Sequence, residues 1–362
     1  MTVSARRSAG VPPAEQTPSR RRFLRLPLVF AAVVALLGMW AFWWEPRRLV
    51  FRETSMPLAC WTGAPIRIAV VSDLHVGAPY VGTDTLSRLV RLTNAQKPDM
   101  VVLLGDFVIQ GVIGGRFVSP EQIATILEGL RAPLGVHAVM GNHDRWLDAT
   151  RVERAFAAAG IEMLEDRAVR VRRNGGELWI VGISDYITAA HDVRRAMSQV
   201  KGTAPIIAIT HNPDVFPSIP RRVCLTLAGH THGGQVALPF IGRPIVPSHY
   251  GEHYAIGPVH EGGKDLLVTA GVGTSIIPVR FRVPPEVVLV TIRAPDTHAG
   301  RAVPRASQEN DGTGSDEDIR VRPAGGNPKW ERRQRDVVVL TPVRRALPAR
   351  PSRDTRLRSR AF

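Results

Sequence analysis

Short apolar runs rich in Val, Ile and Leu alternate with amphipathic stretches between residues 66 and 295, and this alternation restricts the chain to few folds. Short β-branched runs predict buried strands, whereas apolar residues spaced three and four apart predict helices. Alternating strands and helices indicate a layered α/β domain. We predict strands at 66–73, 99–106, 135–144, 177–185, 205–211, 223–230, 265–271 and 286–292, and helices at 83–96, 120–130 and 150–160.

Five of the predicted strands end in side chains that can bind metal ions. These ends are Asp73-Leu74-His75, Gly105-Asp106, Gly141-Asn142-His143-Asp144, His211-Asn212 and Gly229-His230-Thr231-His232. In open α/β sheets, ligands bind in the crevice beyond the carboxyl ends of the strands. One such motif alone is more typical of a hydrogen-bonded turn, but all five together predict a shared metal site. The glycines before the ligands are predicted to let the backbone turn sharply there.

These motifs, D-x-H, G-D, G-N-H-D, H and G-H-x-H, resemble the pattern of the calcineurin-like metallophosphoesterase superfamily over roughly residues 66–295. The stretches GGQVALPF (233–240) and GVGTSIIPVRF (271–281) are similar to those of bacterial membrane-associated phosphodiesterases with twin-arginine or anchor segments. The resemblance implies a four-layer sandwich, α/β in class, of two mixed β-sheets flanked by helices. It also implies a metal-dependent phosphoester hydrolase, with phosphodiesters as the expected substrates.

The resemblance further implies two divalent ions and the residues that hold them. Asp106 would bridge the ions; Asp73, His75 and His232 would complete one shell, and Asn142, His211 and His230 the other. Mixed imidazole, carboxylate and amide ligands suit Mn²⁺, Fe or Zn²⁺ better than Ca²⁺ or Mg²⁺. A hydroxide bridging two such ions is the expected nucleophile.

Three further residues are candidates for roles beside the metals. By resemblance, His143 contacts the phosphate and either stabilises its charge or protonates the leaving group. Asp144 is predicted to orient the His143 imidazole, to cap the helix predicted at 150–160, or to do both. Arg280 is predicted either to bind a phosphate oxygen or to lie on the surface.

An export or anchor segment precedes the predicted domain. Residues 1–25 form an Arg-rich region that should stay cytoplasmic, and SRRRFLR (19–25) resembles a twin-arginine export signal. Residues 26–44 are an apolar run near the length that spans a bilayer, with Trp40, Trp43 and Trp44 at its far end. We predict a single-pass anchor, with a cleaved signal as the alternative. The catalytic domain would then face the periplasm or the exterior from the cytoplasmic membrane.

The charge of the chain lies mostly in its tails. The formal net charge is +15, of which residues 61–295 carry only +3, so we expect the membrane rather than nucleic acid as a partner. Residues 45–65 are predicted to be a short irregular linker, and residues 296–362 a disordered basic tail. Cys60 and Cys224 predict no disulfide framework, and Cys224 is expected to be a small core residue.

Two other functions stay open from the sequence. One is a pyrophosphatase for a lipid precursor of the UDP-2,3-diacylglucosamine type, whose cytoplasmic substrate conflicts with an outward-facing domain. The other is a non-catalytic scaffold with the same fold, which should have lost ligands, whereas this chain keeps all seven. Loops set specificity on a shared fold, so the substrate is open beyond candidate lipid or cell-envelope phosphoesters, and no oligomeric state is predicted.

Overall fold

The structure is a computed structural model that describes the backbone of residues 20–173, 176–295 and 332–339, and the side chains of residues 27–172 and 176–295. Its helices are α1 (Arg20–Met39), α2 (Thr83–Ala95), α3 (Pro120–Leu127), α4 (Asn142–Ala158) and α5 (Val193–Ser198). Its strands are β1 (Arg48–Pro57), β2 (Ile66–Val71), β3 (Met100–Leu103), β4 (Val136–Ala138), β5 (Arg167–Arg173), β6 (Gly176–Ile183), β7 (Ile206–Thr210), β8 (Leu225–Ala228), β9 (Gly257–Glu261), β10 (Lys264–Val268), β11 (Glu286–Arg293) and β12 (Arg332–Val339).

The strands form two mixed six-stranded sheets. The first has the order β12-β1-β11-β2-β3-β4, and the second β5-β6-β7-β8-β10-β9. Strands β2, β3 and β4 run parallel in the first sheet, as do β6, β7, β8 and β10 in the second. The carboxyl ends of these parallel strands carry the motif residues.

The side-chain pattern of β2 shows how the layers pack. Ile66, Ile68 and Val70 enter the core between the two sheets, whereas Ala69 and Val71 enter the core beneath α2, α3 and α4. A third core fills the outer face of the second sheet against α5. Because successive strand side chains point to opposite faces, the unbroken apolar run from Ile68 to Val71 places the sheet between two cores. The predicted four-layer sandwich is confirmed.

Residues 45–65 are not an irregular linker, so that prediction is wrong. Within them, β1 pairs in parallel with β11, from Val50 opposite Glu286 to Pro57 opposite Arg293. Leu49, Val50 and Phe51 are buried. Burial of this short apolar run extends the first sheet by one strand and begins the domain before residue 66.

The tail beyond residue 295 is described only at β12. This strand pairs antiparallel with β1, so the prediction of disorder is wrong for Arg332–Val339. Predictions for residues 1–19, 296–331 and 340–362 lie outside the described residues. The twin-arginine-like motif begins in the first of these ranges.

Cys60 and Cys224 form a disulfide, which corrects the prediction that these two cysteines make no disulfide framework. They lie 164 residues apart in sequence, with Cα atoms 5.8 Å apart. The contact arises because the chain leaving β1 passes the start of β8 in the other sheet. Cys224 is also a buried member of the core between the sheets, as expected.

The third motif lies in a helix rather than at the end of a strand. Strand β4 ends at Ala138, and α4 begins at Asn142 instead of the predicted residue 150. A non-helical backbone conformation at Asp148 divides α4, and the Asp148 carboxylate accepts a hydrogen bond from the Arg151 amide. The predicted helix at 150–160 therefore corresponds to the part of α4 after this kink.

Candidate metal centre

All seven predicted metal ligands meet where the carboxyl ends of the two sheets face each other. Each lies in the loop or first helical turn that follows a parallel strand, and each is buried. The strands responsible are β2 for Asp73 and His75, β3 for Asp106, β4 for Asn142, β7 for His211, and β8 for His230 and His232. The shared site predicted from the five motifs is therefore assembled by the fold.

One cluster of candidate ligands combines Asp73, His75 and His232. One ligand atom from each lies within 4.8 Å of the others. The Nε2 atoms of His75 and His232 are 3.1 Å apart, and His232 Nε2 is 3.5 Å from Asp73 Oδ1. Two ring nitrogens and a carboxylate oxygen converging on one point is the arrangement expected around a cation.

A second cluster combines Asp106, His211 and His230, with Asn142 beside it. His211 Nε2 is 3.3 Å from Asp106 Oδ2, 3.1 Å from Asn142 Oδ1 and 3.1 Å from His230 Nδ1. The other ring nitrogen of His211 lies 2.7 Å from the Leu104 carbonyl oxygen. That contact fixes the ring orientation and leaves Nε2 facing the cluster.

Asp106 lies between the two clusters. Its Oδ2 is 3.5 Å from His75 Nε2 and 3.3 Å from His211 Nε2. Its Oδ1 accepts a hydrogen bond of 2.9 Å from the His143 amide, which fixes the carboxylate plane. Asp106 thus lies within reach of candidate ligands from both clusters.

The donor set fits divalent metal ions. Among the described residues, Asp73 Oδ1 has no hydrogen-bond partner although it is buried. Burial raises the pKa of Asp73 to about 6 and lowers the pKa of His75 to about 4. Neutral imidazoles are the metal-binding form of histidine, and a buried carboxylate requires a compensating positive charge. A cation among these groups would meet both conditions.

Five of the ligands have left-handed backbone conformations, which the sequence did not predict. Their φ angles are 52° at Asp73, 40° at His75, 54° at Asp106, 69° at His230 and 51° at His232. Such a conformation costs a residue other than glycine about 1–3 kcal/mol, and it is concentrated at functional sites. The surrounding packing therefore holds the ligands in place at a cost in stability.

The glycines beside the ligands act in two ways. Gly105 has a φ of +88° and turns the chain as predicted, whereas Gly141 has a φ of −94° that any residue can adopt. A Cβ atom at Gly141 would lie 2.1 Å from Asp106 Oδ1. Gly141 is therefore required for close approach to the carboxylate rather than for a turn.

His143 borders the clusters, whereas Asp144 has a different environment from the predicted one. His143 Nε2 is 3.9 Å from Asp106 Oδ2, and its side chain is 13% exposed, so a substrate can reach it. Asp144 Oδ1 accepts hydrogen bonds from the Phe107 and Val108 amides, and Oδ2 accepts one from the Gly141 amide. Asp144 thus caps the start of α4 and not the start of the helix predicted at 150–160. It also holds the first turn of α4 against the loop that carries Asp106. Both oxygens are engaged with amides rather than with the His143 imidazole.

Asp185 lies close enough to His143 to influence its charge, and the sequence did not predict it as a candidate site residue. It follows β6, is buried, and its Oδ2 accepts hydrogen bonds from the Ile187 and Thr188 amides. Burial lowers the pKa of His143, and the charges of Asp106 and Asp185 partly offset that effect. The signal was present, because β6 also is an apolar strand followed closely by Asp.

Arg280 neither faces a substrate nor lies on the surface, so both predictions for it are wrong. Its side chain is fully buried and donates five hydrogen bonds to the carbonyl oxygens of Ala270, Gly271, Gly273 and Val283. A Cβ atom at Gly271 would lie 2.6 Å from Asp73 Cβ, so this loop packs directly against a ligand. Arg280 therefore supports the loop behind Asp73.

Comparison with known proteins identifies relatives of the whole domain. Residues 66–241 match the sequence profile described as Calcineurin-like phosphoesterase. An uncharacterized metallophosphoesterase of Aquifex aeolicus is 30% identical over 237 residues, covering 64% of this chain and 86% of the relative. Phosphodiesterase YaeI of Escherichia coli is 28% identical over 286 residues, covering 76% and 99%. A zebrafish protein named transmembrane protein with metallophosphoesterase domain is 28% identical over 288 residues, covering 74% and 62%.

Proposed function

The chain belongs to the calcineurin-like metallophosphoesterases and is a hydrolase of phosphoester bonds, and on that premise we propose that it cleaves phosphodiesters at a binuclear metal centre anchored on the outer face of the cytoplasmic membrane. The observation that carries this proposal is the position of Asp106 between two clusters of ligands. A pair of metal ions requires a carboxylate between them, with further ligands on both sides.

In the proposed centre, the first ion is held by Asp73, His75 and His232, the second by Asn142, His211 and His230, and both by Asp106. Mn²⁺, Fe or Zn²⁺ suit this mixture of imidazole, carboxylate and amide ligands. Two such cations would activate the attacking water and stabilise the charge that develops on the phosphoryl oxygens.

His143 is proposed to contact the phosphoryl group at the open edge of the centre. The hydrogen bond from its amide to Asp106 fixes its backbone, and its ring stands edge-on to Trp146 with centroids 5.1 Å apart. The Nε2 atom is thereby kept beside the carboxylate, and a ring nitrogen of His143 lies within 4.8 Å of ligand atoms of Asp106 and His75. From there the imidazole can stabilise charge on the substrate or protonate the leaving oxygen.

The proposed location rests on the N-terminal helix and the disulfide. Among the described residues, one segment, Pro27–Arg47, is long and apolar enough to cross a membrane as an anchor or a signal. Arginines ahead of an apolar helix favour retention of that end in the cytoplasm. Disulfides persist mainly in oxidising compartments, which favours an outward-facing domain for the Cys60–Cys224 pair. The name of the zebrafish relative agrees with a membrane anchor.

The decisive experiment measures bound metal and hydrolysis of mono- and diester substrates by the full-length protein. We expect two ions per chain and faster hydrolysis of bis-p-nitrophenyl phosphate than of p-nitrophenyl phosphate. Asp106→Ala should lose metal and activity together. His143→Ala should keep the metal and lose roughly 10²–10⁴-fold in rate. A single ion per chain would refute the binuclear centre, and a full rate in His143→Ala would refute the role of that histidine.

A topology measurement separates this proposal from the lipid-precursor pyrophosphatase. A reporter that is active only outside the cytoplasm, fused after residue 362, should be active. A reporter active only in the cytoplasm would instead favour the pyrophosphatase, whose substrate is handled on that side. Loss of all hydrolysis with full metal content would favour a scaffold.

A further inference from the structure

The loops around the metal centre expose an unusual set of large apolar side chains, which we call the apolar rim. Phe240 is fully exposed, and Ile245, Ile241, Ile276 and Ile113 are 64–77% exposed. The complete rim consists of Ile113, Phe117, Phe240, Ile241, Ile245, Ile276 and Ile277. Large clustered apolar patches are rare on soluble surfaces and mark contacts with proteins or membranes.

The rim is one continuous surface because its loops are joined to each other by hydrogen bonds. The Ile113 amide donates to the Ile276 carbonyl oxygen at 2.9 Å. The Gln235 side chain both donates to and accepts from the backbone of Ser275, and the Phe281 amide donates to the Gln235 carbonyl oxygen. These contacts connect residues 109–118, 233–246 and 273–281.

The same loops begin at the metal ligands. Residues 109–118 follow Asp106, and residues 233–246 follow His232. The Gly273 amide donates to the Asp73 carbonyl oxygen at 2.6 Å. The rim therefore lies beside the metal centre and not on a distant face of the domain.

The end of the apolar N-terminal helix contacts the loop 273–281 and also Tyr80, which lies outside the rim loops. The Ala41 carbonyl oxygen accepts a hydrogen bond of 3.0 Å from the Arg280 amide, and the Phe42 carbonyl oxygen accepts one from the Tyr80 hydroxyl. The Arg47 guanidinium lies 4.3 Å from the centre of the Tyr80 ring. Tryptophans at the end of a membrane helix lie at headgroup depth, and Trp40–Trp44 is the segment making these contacts.

We propose that the apolar rim rests in the bilayer that holds α1, so that the metal centre opens at headgroup depth and acts on phosphoesters of membrane lipids. The reaction in this inference rests on the proposed function, and its geometry rests on the contacts between helix and loops. The Ala41 carbonyl oxygen is hydrogen-bonded to the Arg280 amide, so the end of the N-terminal helix is attached to the domain. This contact keeps the domain at the membrane surface. Exposed Arg116 lies on a rim loop and exposed Arg282 directly follows one, and both suit anionic headgroups.

A spin label at residue 240 tests the position of the rim in the full-length protein. The two native cysteines are bonded to each other, so Phe240→Cys supplies a single reactive thiol. The protein is placed in nanodiscs of phosphatidylcholine and phosphatidylglycerol. Accessibility of the label to oxygen and to a water-soluble nickel chelate is then measured. Phe30→Cys in α1 is the lipid reference, and Glu153→Cys, exposed on α4, is the aqueous reference.

We expect the label at residue 240 to favour oxygen, as the label at residue 30 does. Accessibility equal to that at residue 153 overturns the proposal. Spin–spin broadening that appears only with two chains per disc also overturns it, since a second copy would then cover the rim. This measurement does not depend on enzyme activity, so it tests the position of the rim even if the proposed function is wrong.

A kinetic comparison tests the substrate class. We compare a lipid phosphodiester in vesicles with soluble bis-p-nitrophenyl phosphate. The double variant Phe240→Ser, Ile241→Ser should lower the ratio of the two rates about tenfold or more, since each side chain loses its favourable burial in lipid. Ala157→Ser, Ala158→Ser is the control, because both exposed residues lie at the end of α4, outside the rim and outside the metal centre. An unchanged ratio overturns the lipid assignment, whereas absence of hydrolysis of either substrate by the native protein refutes the proposed function instead.

Discussion

Replacing Arg280 with methionine should remove the hydrogen-bond donors that hold the loop behind Asp73. The guanidinium is fully buried, and burial lowers its pKa only to about 10, so it is charged at neutral pH. Methionine has a similar length and no donors. The backbone carbonyl oxygens of Ala270, Gly273 and Val283 would lose the donor that Arg280 supplies, whereas the Gly271 carbonyl oxygen keeps its bond from the Glu286 amide.

The size of the effect follows from those three carbonyl oxygens. A buried polar group without a partner costs about 1–3 kcal/mol, so three of them cost at least about 3 kcal/mol. Glu286 is the main charge that stabilises Arg280, but it keeps its own ion pair with Arg52 after the substitution. We therefore expect a total loss of about 3–5 kcal/mol. For a domain of this size, that loss lowers the midpoint of thermal unfolding by about 10 °C.

The assay is thermal unfolding of full-length Arg280→Met in detergent with a chelator present, because bound metal would otherwise add its own stabilisation. Arg280→Lys is the matched control: it keeps the charge, but one ammonium group cannot serve carbonyl oxygens on several sides, so its loss should be intermediate. Metal titration should also show weaker binding in the methionine variant, since its loop packs against Asp73. An unchanged midpoint together with lost activity would refute this reasoning and return Arg280 to a phosphate-binding role.

Three further predictions address the disulfide and the surroundings of Asp106. Cys60→Ser opens a loop of 164 residues and should lower the free energy of unfolding by about 3–5 kcal/mol in guanidinium titrations, whereas unaltered unfolding would show that the bond is not formed. Gly141→Ala places a Cβ atom against the Asp106 carboxylate and should weaken metal binding about 10–100-fold by calorimetry. Gly176→Ala, where nothing lies within 4 Å, should bind normally, and equal losses in both variants would contradict the steric argument. Asp144→Ala leaves three amides without an acceptor and should cost about 3 kcal/mol in thermal unfolding, with Asp144→Asn losing less. Native stability with a shifted pH–rate profile would mean instead that Asp144 acts on His143.

The candidate ligands were readable from the sequence because each follows an apolar strand within a few residues. An apolar run predicts a strand, and the end of that strand predicts where the next polar side chain lies. Asp73, Asp106 and His211 could therefore be placed at one edge of the sheets before any pairing was known. Asp185 has the same signature and was missed because the family pattern does not include it.

The roles of Asp144 and Arg280 were not readable in this way. Asp144 bonds to amides 36 and 37 residues earlier in the chain, and Arg280 to carbonyl oxygens on a loop that turns back beside it. The type of a polar residue shows that it needs partners, but the partners are chosen by the fold. An Asp beside a His in sequence thus suggested a contact that the first turn of α4 directs elsewhere.

By itself, the sequence determined the layered α/β class, the candidate ligands and the apolar segment ahead of the domain, since these depend on patterns within a few residues. The tertiary structure decided which distant segments meet. It pairs β1 with β11 and joins Cys60 to Cys224. It also brings Ala41 to the loops of the metal centre. The local periodicity of the sequence indicates which residues are buried. Contacts between residues far apart in the chain depend instead on the order of strands in the sheets, and no short sequence pattern encodes that order.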